Sequence, residues 1–125
     1  MAQKTFLLAD DATFIRKLLR DMIEENEEFT VIGEARDGRE AIEKAALLKP
    51  DIMTIDITMP EMDGLEALPE IVVKSPETKV IVVSALADQE QVLKALRRGA
   101  SDFIIKPFDK GRIFDVIDKI LKHDN

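Results

Sequence analysis

Asp51-Ile52-Met53-Thr54-Ile55-Asp56 is a short, mostly apolar run set between Pro50 and the loop Ile57-Thr58-Met59-Pro60-Glu61-Met62-Asp63-Gly64. Its β-branched residues, with a proline before it and proline and Asp-Gly turn signals after it, predict a strand buried on both faces of a parallel sheet. Asp56 then stands at the carboxyl end of that strand. In open α/β sheets ligands bind in the crevice beyond those ends, so an acid there is placed for chemistry, although taken alone it also reads as a turn or cap residue.

Three further apolar runs end in the same way. Phe6-Leu7-Leu8-Ala9 runs into Asp10-Asp11, Lys79-Val80-Ile81-Val82-Val83 into Ser84, and Asp102-Phe103-Ile104-Ile105 into Lys106-Pro107. Parallel strands would deliver acids, a hydroxyl and an amine to one edge of one sheet. That convergence predicts a site.

Between the strands the apolar spacing turns helical. Phe14, Ile15, Leu18, Leu19, Met22 and Ile23 predict the inward face of a first helix, with Arg16, Lys17, Arg20 and Asp21 on the other face, and either Asp10 or Asp11 can cap its start. Phe29-Thr30-Val31-Ile32-Gly33 reads as the second strand. After the turn pair Asp37-Gly38, a second helix carries Ile42, Ala45, Ala46 and Leu48 inward until Lys49-Pro50 stops it. The third helix is expected from near Gly64, with Leu65, Leu68, Ile71 and Val72 inward. Pro69 falls inside it, where a missing N–H and a ring clash predict a kink or an early irregularity. The fourth helix, from about Asp88 to Arg98, carries Val92, Leu93, Ala95 and Leu96 and closes on Arg97-Arg98-Gly99. The last carries Ile113, Phe114, Ile117, Ile120 and Leu121; His123, at its end, reads as a solvated residue rather than a ligand.

Five strands alternating with five helices make an α/β, doubly wound parallel sheet. The flavodoxin-like order 2-1-3-4-5 is the common one for five strands and is carried over rather than derived. With 125 residues, 46% of them apolar, the expectation is one domain spanning residues 1–125 with a single core. There is no cysteine, so neither disulfides nor thiolate metal sites are available. The apolar run before Asp10 is too short for a signal-peptide core and no run reaches membrane-spanning length, so a cytoplasmic protein without membrane contact is expected. A net charge of -7 and few aromatic residues argue against nucleic acid as a partner and leave proteins as the expected ones.

Asp10, Asp11 and Asp56 meeting at close range would repel one another and gain affinity for a small divalent cation. An all-oxygen donor set with room for water and phosphate suits Mg²⁺. The cation would screen an incoming phosphate and let Asp56 attack phosphorus to form an acyl phosphate. Lys106 supplies an ammonium and Ser84 a hydroxyl for the transferred oxygens, although a lysine among carboxylates can also be only an ion pair and Ser84 only a turn residue.

Asp10-Asp11, Asp56, Ser84 and Lys106-Pro107, in this order and spacing along the whole chain, resemble the receiver domain of two-component response regulators. Asp56 to Gly64, in a chain with no room for an output domain, is most similar to the family's stand-alone chemotaxis regulators. The resemblance implies that Asp56 accepts phosphate from a CheA-like histidine kinase. It implies that Asp10, Asp11, Asp56 and the Thr58 carbonyl bind Mg²⁺, that Ser84 and Lys106 contact the phosphoryl group, and that the Lys106-Pro107 peptide is cis. Phe103 corresponds to the family's switch aromatic, although it also reads as an ordinary core residue. The implied output is protein binding on the face of the fourth helix, fifth strand and fifth helix, by a flagellar motor switch protein or similar target, with a phosphatase as a further partner. Thr58 and Leu86 would flank the path of an attacking water. Leu86 cannot hydrogen-bond it, so slow self-hydrolysis is expected.

Within the family the alternative is a relay shuttle to a histidine phosphotransfer protein. Outside it, a Mg²⁺-dependent phosphatase of the haloacid dehalogenase type also uses a strand-end Asp nucleophile, but wants a second acid where Thr58 stands. A passive flavodoxin-like binder is the third reading.

Overall fold

The computed structural model describes residues 3–85 and 89–123. Five parallel strands, β1 (Lys4–Ala9), β2 (Phe29–Ala35), β3 (Ile52–Asp56), β4 (Lys79–Ser84) and β5 (Asp102–Ile105), lie in the order β2-β1-β3-β4-β5. Helices α1 (Thr13–Ile23), α2 (Gly38–Leu48), α3 (Gly64–Lys74) and α4 (Gln89–Arg97) make the crossovers, and α5 (Lys110–Lys122) follows β5. This is the doubly wound sheet and strand order expected from the sequence.

Strand alternation sorts the core into two layers. Met53, Ile55, Val80 and Val82 face Ile42, Ala45, Leu68, Ile71 and Ala95 of α2, α3 and α4. Phe6, Leu8, Ile52, Ile81 and Val83 face Leu19, Ile23, Ile113 and Ile117 of α1 and α5. Every residue of β3 is buried, which is why its sequence lacks polar alternation.

The layers differ from the sequence reading in two places. Phe14 is 72% exposed, whereas Arg16, assigned to the solvent side, is buried on the line Arg16, Leu19, Ile23. Leu93 and Leu96 of α4 point outward, leaving Val92 and Ala95 buried among that helix's described residues. Pro69 lies inside α3, which runs from Gly64 to Lys74 without interruption.

Pro69 cannot donate to the Leu65 carbonyl one turn back. Arg98, just past α4, donates its Nη1 to that oxygen at 2.8 Å. A guanidinium from just beyond α4 thus satisfies the acceptor that the proline would orphan. Arg98→Met is therefore expected to cost about 1 kcal/mol in the wild type and clearly less in a Pro69→Ala background, where the restored backbone N–H can reach the Leu65 carbonyl. Urea unfolding of the two single variants and the double variant measures this coupling. Equal costs in both backgrounds would refute it.

Candidate functional site

The strand carboxyl ends bring the acids together. Asp10 follows β1 and is 2% exposed; Asp56 closes β3 and is 6% exposed. Asp10, Asp11 and Asp56 each offer a carboxylate oxygen, and the three lie within 4.8 Å of one another, with Asp11 exposed at the rim. Lys106, one residue past β5, places its Nζ 3.0 Å from Asp10 Oδ2 and 3.1 Å from Asp56 Oδ2, bridging the two buried acids. The Lys106–Pro107 peptide is cis.

Backbone contacts hold these groups in position. The β3–α3 loop turns back sharply, and Gly64 N–H donates to the Ile57 carbonyl at 2.9 Å. A Cβ on Gly64 would come within 2.3 Å of the Asp56 carbonyl oxygen, so only glycine lets α3 start this close to the acid. Asp63 caps α3 in a capping box with Glu66. Within the loop Met62 N–H donates to Pro60 across Glu61, whose φ of 67° lies in the left-handed region. On the other side, Lys106 N–H donates to the Ser84 carbonyl at 2.6 Å, tying the ends of β4 and β5 together.

Asp10 does not cap α1 but forms a turn immediately before it and faces Lys106. Its Oδ1 accepts from Ala12 N–H at 2.9 Å just ahead of α1, while its Oδ2 faces Lys106. The N-cap of α1, Ala12, has no capping side chain of its own. Thr58 is exposed, and its N–H donates to Asp56 Oδ1 at 3.2 Å. Ser84 is buried one position beyond Val83, the registered partner of Asp56. Alternation puts it on the same sheet face as Val82, whose registered partner is Phe103. Phe103 is half-buried and packs against the α2–α3–α4 layer. Leu86 lies outside the described residues.

Burial first, and then the neighbouring Asp10 charge, push the Asp56 pKa above the usual aspartate value, with Lys106 and the Thr58 amide pulling it back. Burial opposes the ammonium of Lys106, but the Asp10 and Asp56 carboxylates together outweigh it and raise its pKa. One ammonium among three acids leaves the cluster net negative. Its donors are all hard oxygens, so it fits a small divalent cation such as Mg²⁺ better than a soft metal.

The sequence reading missed the support behind Asp10. Arg16 donates its Nη1 to the Asp10 carbonyl at 2.6 Å and its Nε to Glu34 Oε1 at 2.7 Å. Glu34 lies on β2 because that strand runs two residues beyond Gly33, to Ala35. An arginine bordering the apolar stripe of α1, together with an acid near a strand end, was the available signal.

The described residues contain no helix long and apolar enough to cross a membrane. The response regulator receiver domain model matches residues 6–118. The chemotaxis protein CheY of Listeria monocytogenes is 47% identical over 93% of this chain and 97% of its own. CheY of Thermotoga maritima is 48% identical over 95% and 98%. Among solved structures, the CheX-CheY-BeF3-Mg²⁺ complex of Borrelia burgdorferi matches with a TM-score of 0.89 at 34% identity, covering 96% of this chain and 90% of that one. On these grounds the chain belongs to the response regulator receiver domain family of two-component signalling systems and is CheY-like within it.

Proposed function

We propose that the protein is a phosphorylation-operated chemotaxis switch that takes a phosphoryl group from a CheA-like histidine kinase onto Asp56. The observation that carries this reading is Lys106 Nζ bridging Asp10 and Asp56 within a cluster of three converging carboxylates. Asp10, Asp11, Asp56 and the Thr58 carbonyl would hold Mg²⁺. When bound, the ion screens the charge of the incoming phosphate and orients it. Asp56 then attacks phosphorus with a carboxylate oxygen, and the bond from phosphorus to the donor histidine nitrogen breaks. Lys106 holds charge developing on the transferred oxygens, and Ser84 donates its hydroxyl to one of them. Water later attacks the same phosphorus, releasing inorganic phosphate and restoring the Asp56 carboxylate. The protein is thus a signalling switch with self-phosphorylation and self-dephosphorylation chemistry rather than a turnover enzyme.

Output follows from a shift at Ser84 and Phe103 that biases the α4–β5–α5 face between two arrangements. Exposed Leu93 and Leu96 on α4, beside Lys94 and Arg97, support that face as the landing place for a flagellar motor switch protein. A phosphatase acting on Asp56 is the further partner, and the setting is cytoplasmic. The Borrelia relative, solved with CheX, BeF3 and Mg²⁺, supports a magnesium-dependent site in the same fold.

Intact-mass measurement after incubation with acetyl phosphate tests the proposal. One phosphoryl group per chain is expected with Mg²⁺ and almost none with a chelator. A metal-independent adduct, or several per chain, would contradict it.

A further inference from the structure

Asp10 is fixed at every polar group it has. Its N–H donates to the Ala35 carbonyl at 3.0 Å, and its carboxylate takes Ala12 N–H and Lys106. Its carbonyl takes the Arg16 guanidinium at 2.6 Å. That last contact comes from a residue only 8% exposed. The Asp10 carbonyl and the Asp11 N–H share one planar peptide, so pinning this oxygen sets the direction in which Asp11 leaves the strand.

Arg16 is anchored in turn. Glu34 accepts Arg16 Nε on one oxygen and Arg20 on the other, with Arg20 Nη2 at 2.7 Å. Lys44 Nζ donates to the Glu34 backbone carbonyl. Hydrogen bonding from Arg20, and then from Arg16, keeps the Glu34 carboxyl below its usual pKa against the opposing cost of burial. The pair is therefore charged, and neither guanidinium is a swinging surface group. Each directs its donors to Glu34 and a backbone carbonyl, Arg16 to Asp10 and Arg20 to Val31.

We propose that Arg16 is a positioning residue for the metal-binding acids, holding the Asp10–Asp11 peptide against the mutual repulsion of the carboxylates it carries. The proposal rests on the reading of that cluster as a Mg²⁺ site. Its sign separates it from a bare charge effect. A cation beside a dication site weakens binding, so deleting Arg16 as a charge would tighten Mg²⁺; deleting it as a positioning group loosens it.

Calorimetric titration of the metal-free full chain with Mg²⁺ at neutral pH decides between the two. Arg16→Met is expected to weaken binding by about tenfold, the range seen when outer partners of metal ligands are removed. Arg16→Lys, which keeps the charge but not the planar fork, weakens it as well. Arg20→Met, which takes the same charge from the same Glu34 without touching Asp10, stays within about twofold of wild type. Hydrogen exchange at Ala12 N–H, followed without metal, speeds up in Arg16→Met and not in Arg20→Met. Unchanged or tighter binding in Arg16→Met, wild-type affinity in Arg16→Lys, or equal weakening in Arg20→Met overturns the proposal. Failure of the wild type to bind Mg²⁺ overturns the metal site itself.

Discussion

Asp56→Asn is expected to accept no phosphoryl group from acetyl phosphate and, at neutral pH, to unfold at a higher temperature than the wild type. The first half follows from chemistry, because an amide oxygen is a far weaker nucleophile than a carboxylate and an acyl phosphate needs that oxygen. The second half follows from linkage. The folded-state pKa of Asp56 lies above the ordinary value of 3.8, so the folded protein binds this proton more tightly than the unfolded chain. Stability falls as pH rises from the unfolded value through the raised folded one, and above that window the cost of the buried charge is fully present. Asparagine carries no such cost and leaves Lys106 paired with Asp10. A melting temperature higher by on the order of 3–5 °C, the equivalent of about 1 kcal/mol at this length, is expected at neutral pH. The gain shrinks as both proteins are acidified toward the ordinary aspartate value, because the wild-type acid takes up its proton in the fold before it does in the unfolded chain. Thermal melts at neutral and acidic pH measure it. A less stable Asp56→Asn at neutral pH, or an adduct on it, contradicts this account.

That stability is given up at the acid cluster explains why the site was legible in the sequence. Asp10, Asp11, Asp56, Ser84 and Lys106 each read singly as a turn, cap or ion-pair residue, but all five fall at the carboxyl ends of apolar strands, and it is their convergence that marks a site. Strand order needed analogy, because alternating strands and helices specify crossovers without specifying neighbours. Arg16 was misplaced for a tertiary reason. The pairs Phe14–Ile15, Leu18–Leu19 and Met22–Ile23 define a wide apolar stripe, and an arginine at its edge reads as solvent-facing. Its neighbours Glu34 and Asp10 complete the position only after β2 pairs with β1, bringing Glu34 opposite Leu8. Pro69 is a similar case. Nothing near it in the chain shows that Arg98, 33 positions from Leu65, takes up the carbonyl it leaves. Local pattern reveals what each element brings to the site and is silent about side chains that satisfy another element's backbone.

Lys106→Met is expected to produce the largest loss of stability, roughly 3–5 kcal/mol at neutral pH without metal. Methionine fills much of the same volume, so packing is nearly kept and the change is chiefly electrostatic. Asp10 and Asp56, with side chains 3% and 8% exposed, lose the ammonium that now bridges them at 3.0 and 3.1 Å. Relief from burying the lysine charge works the other way. It is the smaller effect, because the lysine is the more exposed partner, at 18%, and two acids are left behind for one cation removed. Lys106 pulls down the raised pKa of Asp56, so without it that acid holds its proton in the fold more tightly still. The deficit is therefore present at neutral pH and recovered as pH falls through the raised Asp56 value. Mg²⁺ distinguishes this from simple damage to the core. A dication among the same three carboxylates replaces the missing positive charge, so millimolar Mg²⁺ is expected to stabilise Lys106→Met more than wild type, where ion and ammonium compete. Urea unfolding at neutral and acidic pH, with and without Mg²⁺, gives all four quantities. A deficit that persists at acidic pH and ignores Mg²⁺ would place the role of Lys106 in packing rather than in charge.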